Sequence, residues 1–272
     1  FPWPIIEKMA ALGLMGLPIP EEYGGAGSDT LSYAIAIEEV ARACGSTAIT
    51  LAAHTSLACK PILLFGTEEQ KQKYLIPLAQ GKGLGAFGLT EPGAGSDAGA
   101  TQTAAHLEGD HWVINGQKCF ITNGSIADVV VITAVTDKSA GTRGISSFII
   151  PKGAPGFRPG RDEEKMGLRG SITSELFFED CRIPAENILG EPGQGFKQFL
   201  TTLDEGRISI GAMALGLAQA ALEMSLRYSK ERVQFGQPIG KFQAIQWMLA
   251  DMATEIEAAR LMVYRAAWLK DE

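Results

Sequence analysis

Gly83-Leu84-Gly85-Ala86-Phe87-Gly88-Leu89-Thr90-Glu91-Pro92-Gly93-Ala94-Gly95-Ser96-Asp97 is the stretch on which the fold turns. Its first six residues match the dinucleotide fingerprint G-x-G-x-x-G letter for letter. That fingerprint works only where a strand precedes it and a helix opens on it, so that a pyrophosphate meets the helix N-terminus. Here a helical pattern precedes, and Thr90-Glu91-Pro92-Gly93 begins a turn. The doubly wound reading is therefore rejected. What remains is a glycine-rich passage from helices into a β region. In it, Gly93 and Gly95 let successive amides converge on an anion, and Ser96 adds a hydroxyl donor.

Working upstream, Ser28 or Asp29 caps a helix running to about Cys44, with Leu31, Ala34, Ile35 and Val40 facing inward. Thr67-Glu68-Glu69-Gln70 is a capping box, and its helix is expected to end near Gly81. Downstream the period changes. Thr101 to Leu107, His111 to Ile114, Gln117 to Ile121, Val129 to Val135, Ile145 to Ile150 and Ser174 to Phe178 read as strands separated by turn signals. Asn115-Gly116 is expected to be a two-residue hairpin turn, and Glu108-Gly109-Asp110 a weaker one. The spacing suggests a small barrel or sandwich rather than βαβ units.

After Glu191-Pro192-Gly193-Gln194-Gly195 the helical period returns. Ala212 to Tyr228 is apolar on most faces and is expected to be surrounded by other helices. Phe242, Ile245, Leu249, Met252, Ile256, Ala259, Val263 and Ala266 form a seam suited to a helical bundle, either internal core or a subunit contact. The fold class is thus α+β and multidomain: an N-terminal helical domain (1–82), a central β domain (83–192) and the start of a C-terminal helical bundle (193–272).

The 272 residues are 46% hydrophobic and 20% charged, with a formal net charge of −7. That balance argues against a general nucleic-acid or membrane-surface role. The most apolar stretch, Ala48 to Phe65, contains His54 and Lys60, so no membrane span is expected. Cys44, Cys59, Cys119 and Cys181 show no CxxC pairing and fit a reduced compartment. His54, His106 and His111 form no metal-ligand spacing. The chain opens at Phe1-Pro2-Trp3-Pro4 without an initiator Met and closes at Glu272 inside a periodic helical segment. It reads as an internal piece of a longer protein.

Four ordered segments resemble the acyl-CoA dehydrogenase family. They are Leu89 to Asp97; Asn115-Gly116-Gln117-Lys118 with Phe120 to Gly124; Met166-Gly167-Leu168-Arg169 through Phe178 to Pro184; and Glu231 to Gly236 with Phe242-Gln243 and Leu249 to Met252. The resemblance covers essentially the whole chain and implies the same succession of helices, β domain and helices. It further implies an FAD enzyme that removes two hydrogens from an acyl-CoA thioester, a step of fatty-acid β-oxidation, with a carboxylate taking the α proton.

Carried onto this sequence, the resemblance places Phe87, Gly88, Leu89 and Thr90 along the flavin edge, and Gly95 and Ser96 where cofactor and CoA arm approach. Phe120, Ile121 and Thr122 form the second wall, with the Thr122 hydroxyl near the reactive nitrogen. Many relatives carry Trp at the Phe120 position, so the stacking differs here. Asp204, Glu205, Gly206 and Arg207 match a stretch that contacts the CoA substrate, although Asp204 and Arg207 also suit an i, i+3 ion pair. Arg232 and Gln243 match residues that reach the FAD of a neighbouring subunit, where a guanidinium fork suits a pyrophosphate.

One family position for the catalytic carboxylate falls on Gly206, which has no side chain to serve. The other lies in a downstream loop beyond Glu272. Glu205 is adjacent, but one residue is about 100° of helix rotation, so it is expected to point elsewhere. No catalytic residue is therefore expected in this chain, and the piece alone is expected not to turn over. The run Leu203 to Ile208 looks most like the short-chain, butyryl-CoA type. The resemblance also implies an electron-transfer flavoprotein as acceptor, a homotetramer or homodimer, and a bacterial cytoplasmic or mitochondrial matrix location. The competing readings are a flavin oxidase or monooxygenase on the same scaffold and a catalytically silent binding or scaffold protein.

Overall fold

The computed structural model describes residues 1–272. The N-terminal part is helical: α1 (Trp3–Ala11), α2 (Thr30–Ala43), α3 (Gly45–Phe65) and α4 (68–79). Asp29 starts α2 by accepting the Ser32 N–H at 2.6 Å. The inward face of α2 is Tyr33, Ala34, Ile37 and Ala41. Ile35, expected on that face, is instead exposed. The Thr67–Gln70 capping box is formed in both directions, and Gly81, with φ +66°, follows the helix end. The expected apolar stretch lies in α3, where Ala58, Cys59 and Ile62 are fully enclosed.

The β region is one eight-stranded sheet: β1 (Gly85–Gly88), β2 (Ala104–Glu108), β3 (His111–Thr122), β4 (Val129–Val135), β5 (Ile145–Pro151), β6 (Phe157–Asp162), β7 (Thr173–Pro184) and β8 (Ile188–Leu189). Its order is β6-β7-β3-β2-β4-β5-β8, with β1 parallel to β4. Side chains from β2, β3, β4, β5 and β7 meet in a single core that includes Ala105, Ile114, Ile132, Phe148 and Phe178. On β4, Val130 and Ile132 enter that core, while Val129 and Val131 pack against the N-terminal helices. Burial on both faces explains why this strand reads as an apolar run broken only by Thr133.

The expected hairpin at Asn115-Gly116 is absent. The turn is at Gly109-Asp110, where Glu108 pairs with His111 and Gly109 has φ +61°. β3 runs straight through Asn115, whose side chain exchanges hydrogen bonds with Asp180 at a kink in β7 (2.9 and 3.0 Å). Gly116 is required there by close approach: a Cβ on it would stand 2.5 Å from Thr103 Oγ1. β1 and β6 were not expected as strands. β6 contains Pro159, which a sheet edge tolerates, and β6 is an edge.

Two long helices complete the chain: α5 (Gly195–Glu231) and α6 (Gln243–Asp271), joined through a small ribbon of β9 (Val233–Gln234) and β10 (Gln237–Pro238). Within residues 1–272, α5 is buried along one face, with Leu217, Met224 and Tyr228 exposed. The α6 seam faces inward at Ile256, and Ala267 takes the buried place expected of Ala266. α2, α5 and α6 share a core containing Ile37, Ala212 and Ala267. Buried Glu38 ties the three together by accepting from Arg260 Nε (3.0 Å) and the Tyr264 hydroxyl (2.7 Å), while Arg260 also donates to Gln219 (2.9 Å).

Candidate functional site

α3 is the element that positions the site, because it lies between β1 and α5. Its middle, Ala53–Cys59, is wound as a π-turn, a local widening that interrupts the ordinary helix register. His54 on this turn is wholly buried. Its Nδ1 accepts the Gly85 N–H at 2.9 Å, and its Nε2 meets the Leu78 carbonyl at 3.1 Å. Nε2 therefore carries the proton. Burial pulls the imidazole down to about 4, so it is neutral at pH 7. The Gly85 carbonyl is taken by Asn123 Nδ2 at 3.2 Å. Both polar groups of Gly85 are thus held by side chains, and the start of β1 is fixed on the helix layer. A Cβ on Gly85 would lie 2.5 Å from the Ala58 Cβ, so only glycine permits this approach.

β1 leads into Leu89 and Thr90, and β3 ends beside them. Phe87, Leu89, Thr90, Phe120, Ile121 and Thr122 line one cleft of about 180 Å³, closed below by Ala53, Leu57 and Leu203. A bulge in β3 between Lys118 and Ile121 turns the chain here, and Phe120 adopts φ +59°. The left-handed conformation costs a bulky residue free energy. Its effect is to swing the Phe120 ring outward, where it is 64% exposed. Neither the Thr90 nor the Thr122 hydroxyl makes a side-chain hydrogen bond within the chain, so both are available to a ligand.

Ala53, Leu57, Thr122 and Leu203 also line a second, more apolar pocket of about 290 Å³. Its other walls are Ile49, Ala52, Ser56, Gly206, Arg207 and Ile210. The two spaces are contiguous, and the hydroxyl-bearing Thr122 stands at their junction. None of the lining residues is a carboxylate.

The remaining expected residues are distributed unequally. Gly88 lies behind the cleft, where a Cβ would meet Ile132 Cγ2 at 3.0 Å. Gly95 and Ser96 sit on the exposed turn after Thr90. That turn is not an anion nest: neither Gly93 nor Gly95 has positive φ, and the Ala94 N–H is bonded back to the Glu91 carbonyl at 3.1 Å. Arg207 pairs with Asp204 at 2.8 Å, both well exposed, at the pocket mouth. Glu205 lines neither space. It points away toward Lys60 (3.5 Å) and Lys270 (3.4 Å).

Arg232 and Gln243 do not join the cleft. Arg232 caps α5 twenty-six residues beyond Gly206, roughly 40 Å at 1.5 Å per residue.

Sequence reasoning missed Lys118 and Glu91. Lys118 is fully buried in β3, and its Nζ donates to Glu91 Oε1 at 2.7 Å and to the Leu89 carbonyl at 3.1 Å. Burial opposes the Glu91 charge, but Lys118, the Thr101 hydroxyl and the amides of Gln102 and Thr103 outweigh it and hold the carboxyl below its usual range. No local signal reveals this pair, because its members stand 27 residues apart.

The donor set suits a flat, largely apolar ring with a polar rim: an outward aromatic, aliphatic walls and two free hydroxyls, with open space over Gly93 and Gly95. Comparison with known proteins agrees. Models of the acyl-CoA dehydrogenase N-terminal, middle and C-terminal domains match residues 1–82, 86–181 and 193–272. The probable acyl-CoA dehydrogenase YngJ of Bacillus subtilis is 61% identical over 272 residues, 100% of this chain and 72% of the relative. The structure of butyryl-CoA dehydrogenase from Megasphaera elsdenii superimposes with a TM-score of 0.96 at 52% identity, covering 98% of this chain and 71% of that one. An acyl-CoA dehydrogenase from Bacillus anthracis solved in complex with FAD gives a TM-score of 0.93 at 44% identity, covering 98% and 45%. The chain belongs to the acyl-CoA dehydrogenase family.

Proposed function

We propose that this chain carries the flavin cleft and acyl pocket of an FAD-dependent dehydrogenase that converts short-chain acyl-CoA thioesters to 2-enoyl-CoA. The observation that carries this reading is the shared wall at Thr122, Ala53, Leu57 and Leu203, which joins a hydroxyl-rimmed cleft to an apolar pocket. A saturated acyl chain in the pocket stands next to a planar ring in the cleft.

Phe120 and Leu89 supply faces for the ring, and the Thr90 and Thr122 hydroxyls donate to its polar edge. FAD, when bound, supplies a two-electron acceptor for the hydride leaving the β carbon. Ile49, Leu57 and Ile210 exclude water from the acyl chain, which keeps local electrostatics strong. Arg207 at the mouth offers a cation to the phosphate-rich CoA arm. Ser96 and Gly95 stand on the outer turn along the same route.

The α proton requires a carboxylate, and the pocket has none of its own. Glu205 is engaged by two lysines on the other side of the helix. In this reading the base comes from outside residues 1–272. Arg232 and Gln243 act on the cofactor of a second copy, which makes the enzyme a homodimer or homotetramer. An electron-transfer flavoprotein takes the electrons, in bacterial cytoplasm or mitochondrial matrix. The domain limits 1–82, 83–192 and 193–272 belong to the same proposal.

The test is a turnover assay with butyryl-CoA and an artificial acceptor, run on the 272-residue chain and on the full-length protein. Turnover is expected only from the full-length protein, and Glu205→Gln is expected to leave it active. Turnover by the short chain that Glu205→Gln abolishes would assign the base to Glu205 instead.

A further inference from the structure

Three consecutive residues on the Thr90 side of the cleft are fastened to two consecutive residues of β3. The Lys118 ammonium donates to the Leu89 carbonyl (3.1 Å) and the Glu91 carboxylate (2.7 Å), and the Cys119 N–H donates to the Thr90 carbonyl (2.8 Å). The ammonium also reaches the hydroxyls of Thr101 (3.2 Å) and Thr133 (3.4 Å). Two residues farther along the same strand, Phe120 begins the opposite wall.

We propose that Lys118, paired with Glu91, is a positioning residue for the cofactor cleft: it fixes the spacing between the Thr90 wall and the Phe120–Thr122 wall. This role rests on the flavin reading above. Fold stability alone does not call for such a pair, since apolar side chains of similar volume often replace a buried ion pair without loss. What they do not replace is direction. An ammonium gives three donors at fixed angles, and here one of them holds a main-chain carbonyl next to Thr90. Residues 89 and 90 belong to no strand and Glu91 is bridged only to Ala94, so these bonds to Lys118 and Cys119 are what sets their distance from β3.

The experiment separates positioning from stability. Lys118→Met strands a buried carboxylate and is expected to melt at a lower temperature. Lys118→Met with Glu91→Gln removes both charges and is expected to recover most of the midpoint. In that double variant, FAD is expected to bind at least tenfold more weakly by flavin fluorescence. The Cys119 amide of the apoprotein is expected to exchange its hydrogen at least tenfold faster. Glu91→Gln alone, which keeps the shape and loses the charge, is expected to shift both readouts in the same direction by less, and it serves if the double variant does not fold. Wild-type affinity and wild-type Cys119 exchange in the variants, with FAD bound by the parent, would overturn the positioning role and leave the flavin reading intact. Failure of the parent to bind FAD would remove the flavin reading and this role with it.

Discussion

The imidazole of His54 and the backbone of Gly85 are joined by a 2.9 Å hydrogen bond in which the buried ring accepts. Through it the π-turn of α3 holds the first residue of β1, and so the strand that delivers Leu89 and Thr90 to the cleft.

The burial of that ring makes stability pH-dependent. Burial lowers His54 from 6.5 to about 4 in the fold, while the unfolded chain keeps the ordinary value. Above pH 6.5 both states are neutral and the contribution is fully present. Between pH 6.5 and 4 the unfolded chain binds a proton that the fold refuses, so stability falls with falling pH, by about 3 kcal/mol in all. Denaturant melts across this window are expected to show that slope, and His54→Gln is expected to flatten it.

Thr90→Val and Thr122→Val keep the β-branched shape and remove one cleft hydroxyl each. A hydrogen bond to a bound ring is worth about 1 kcal/mol, so each variant is expected to weaken FAD binding roughly fivefold. Fluorescence titration measures both, and melting temperature is expected to change little.

At Gly206 two effects oppose each other. Alanine favours a helix over glycine by about 1 kcal/mol, but its Cβ would stand 3.0 Å from Leu57 Cδ2 at the pocket wall. Gly206→Ala is therefore expected to leave stability nearly unchanged while raising KM for butyryl-CoA severalfold. FAD affinity serves as the control and is expected to hold.

Arg232 lies too far along α5 to reach the cleft of its own chain, so its contribution is tested by complementation. Arg232→Met is expected to weaken FAD binding, and so is Thr122→Val. A co-refolded mixture is expected to regain tight sites wherever a wild-type Thr122 meets a wild-type Arg232 from the other chain. Recovery no better than the average of the two parents would place Arg232 outside the cofactor site.

The sequence made the site legible where chemistry is local or the motif is long. The capping box at Thr67, the Asp29 cap and the strand at 129–135 formed as expected, because adjacent residues decide them. Thr90 and Thr122 share a cleft because Thr90 follows β1 by two residues, Thr122 ends β3, and both strands belong to the same sheet. Asn115-Gly116 misled because a turn signal and a close backbone approach both favour glycine, and only the position of Thr103 separates them. Ile35 was misplaced because a helix face is set by what covers it, here α5 and α6 from far along the chain. Lys118 was invisible for the same reason: in sequence a strand lysine looks solvated, and only the fold brings Glu91 to it.

The visible absorption spectrum of the full-length protein, recorded before and after anaerobic addition of butyryl-CoA, tests the central claim most directly. An oxidised flavin band in the purified protein that bleaches on adding the thioester is the predicted result. A protein without that band after incubation with FAD, or one whose band butyryl-CoA leaves unchanged, would contradict the account.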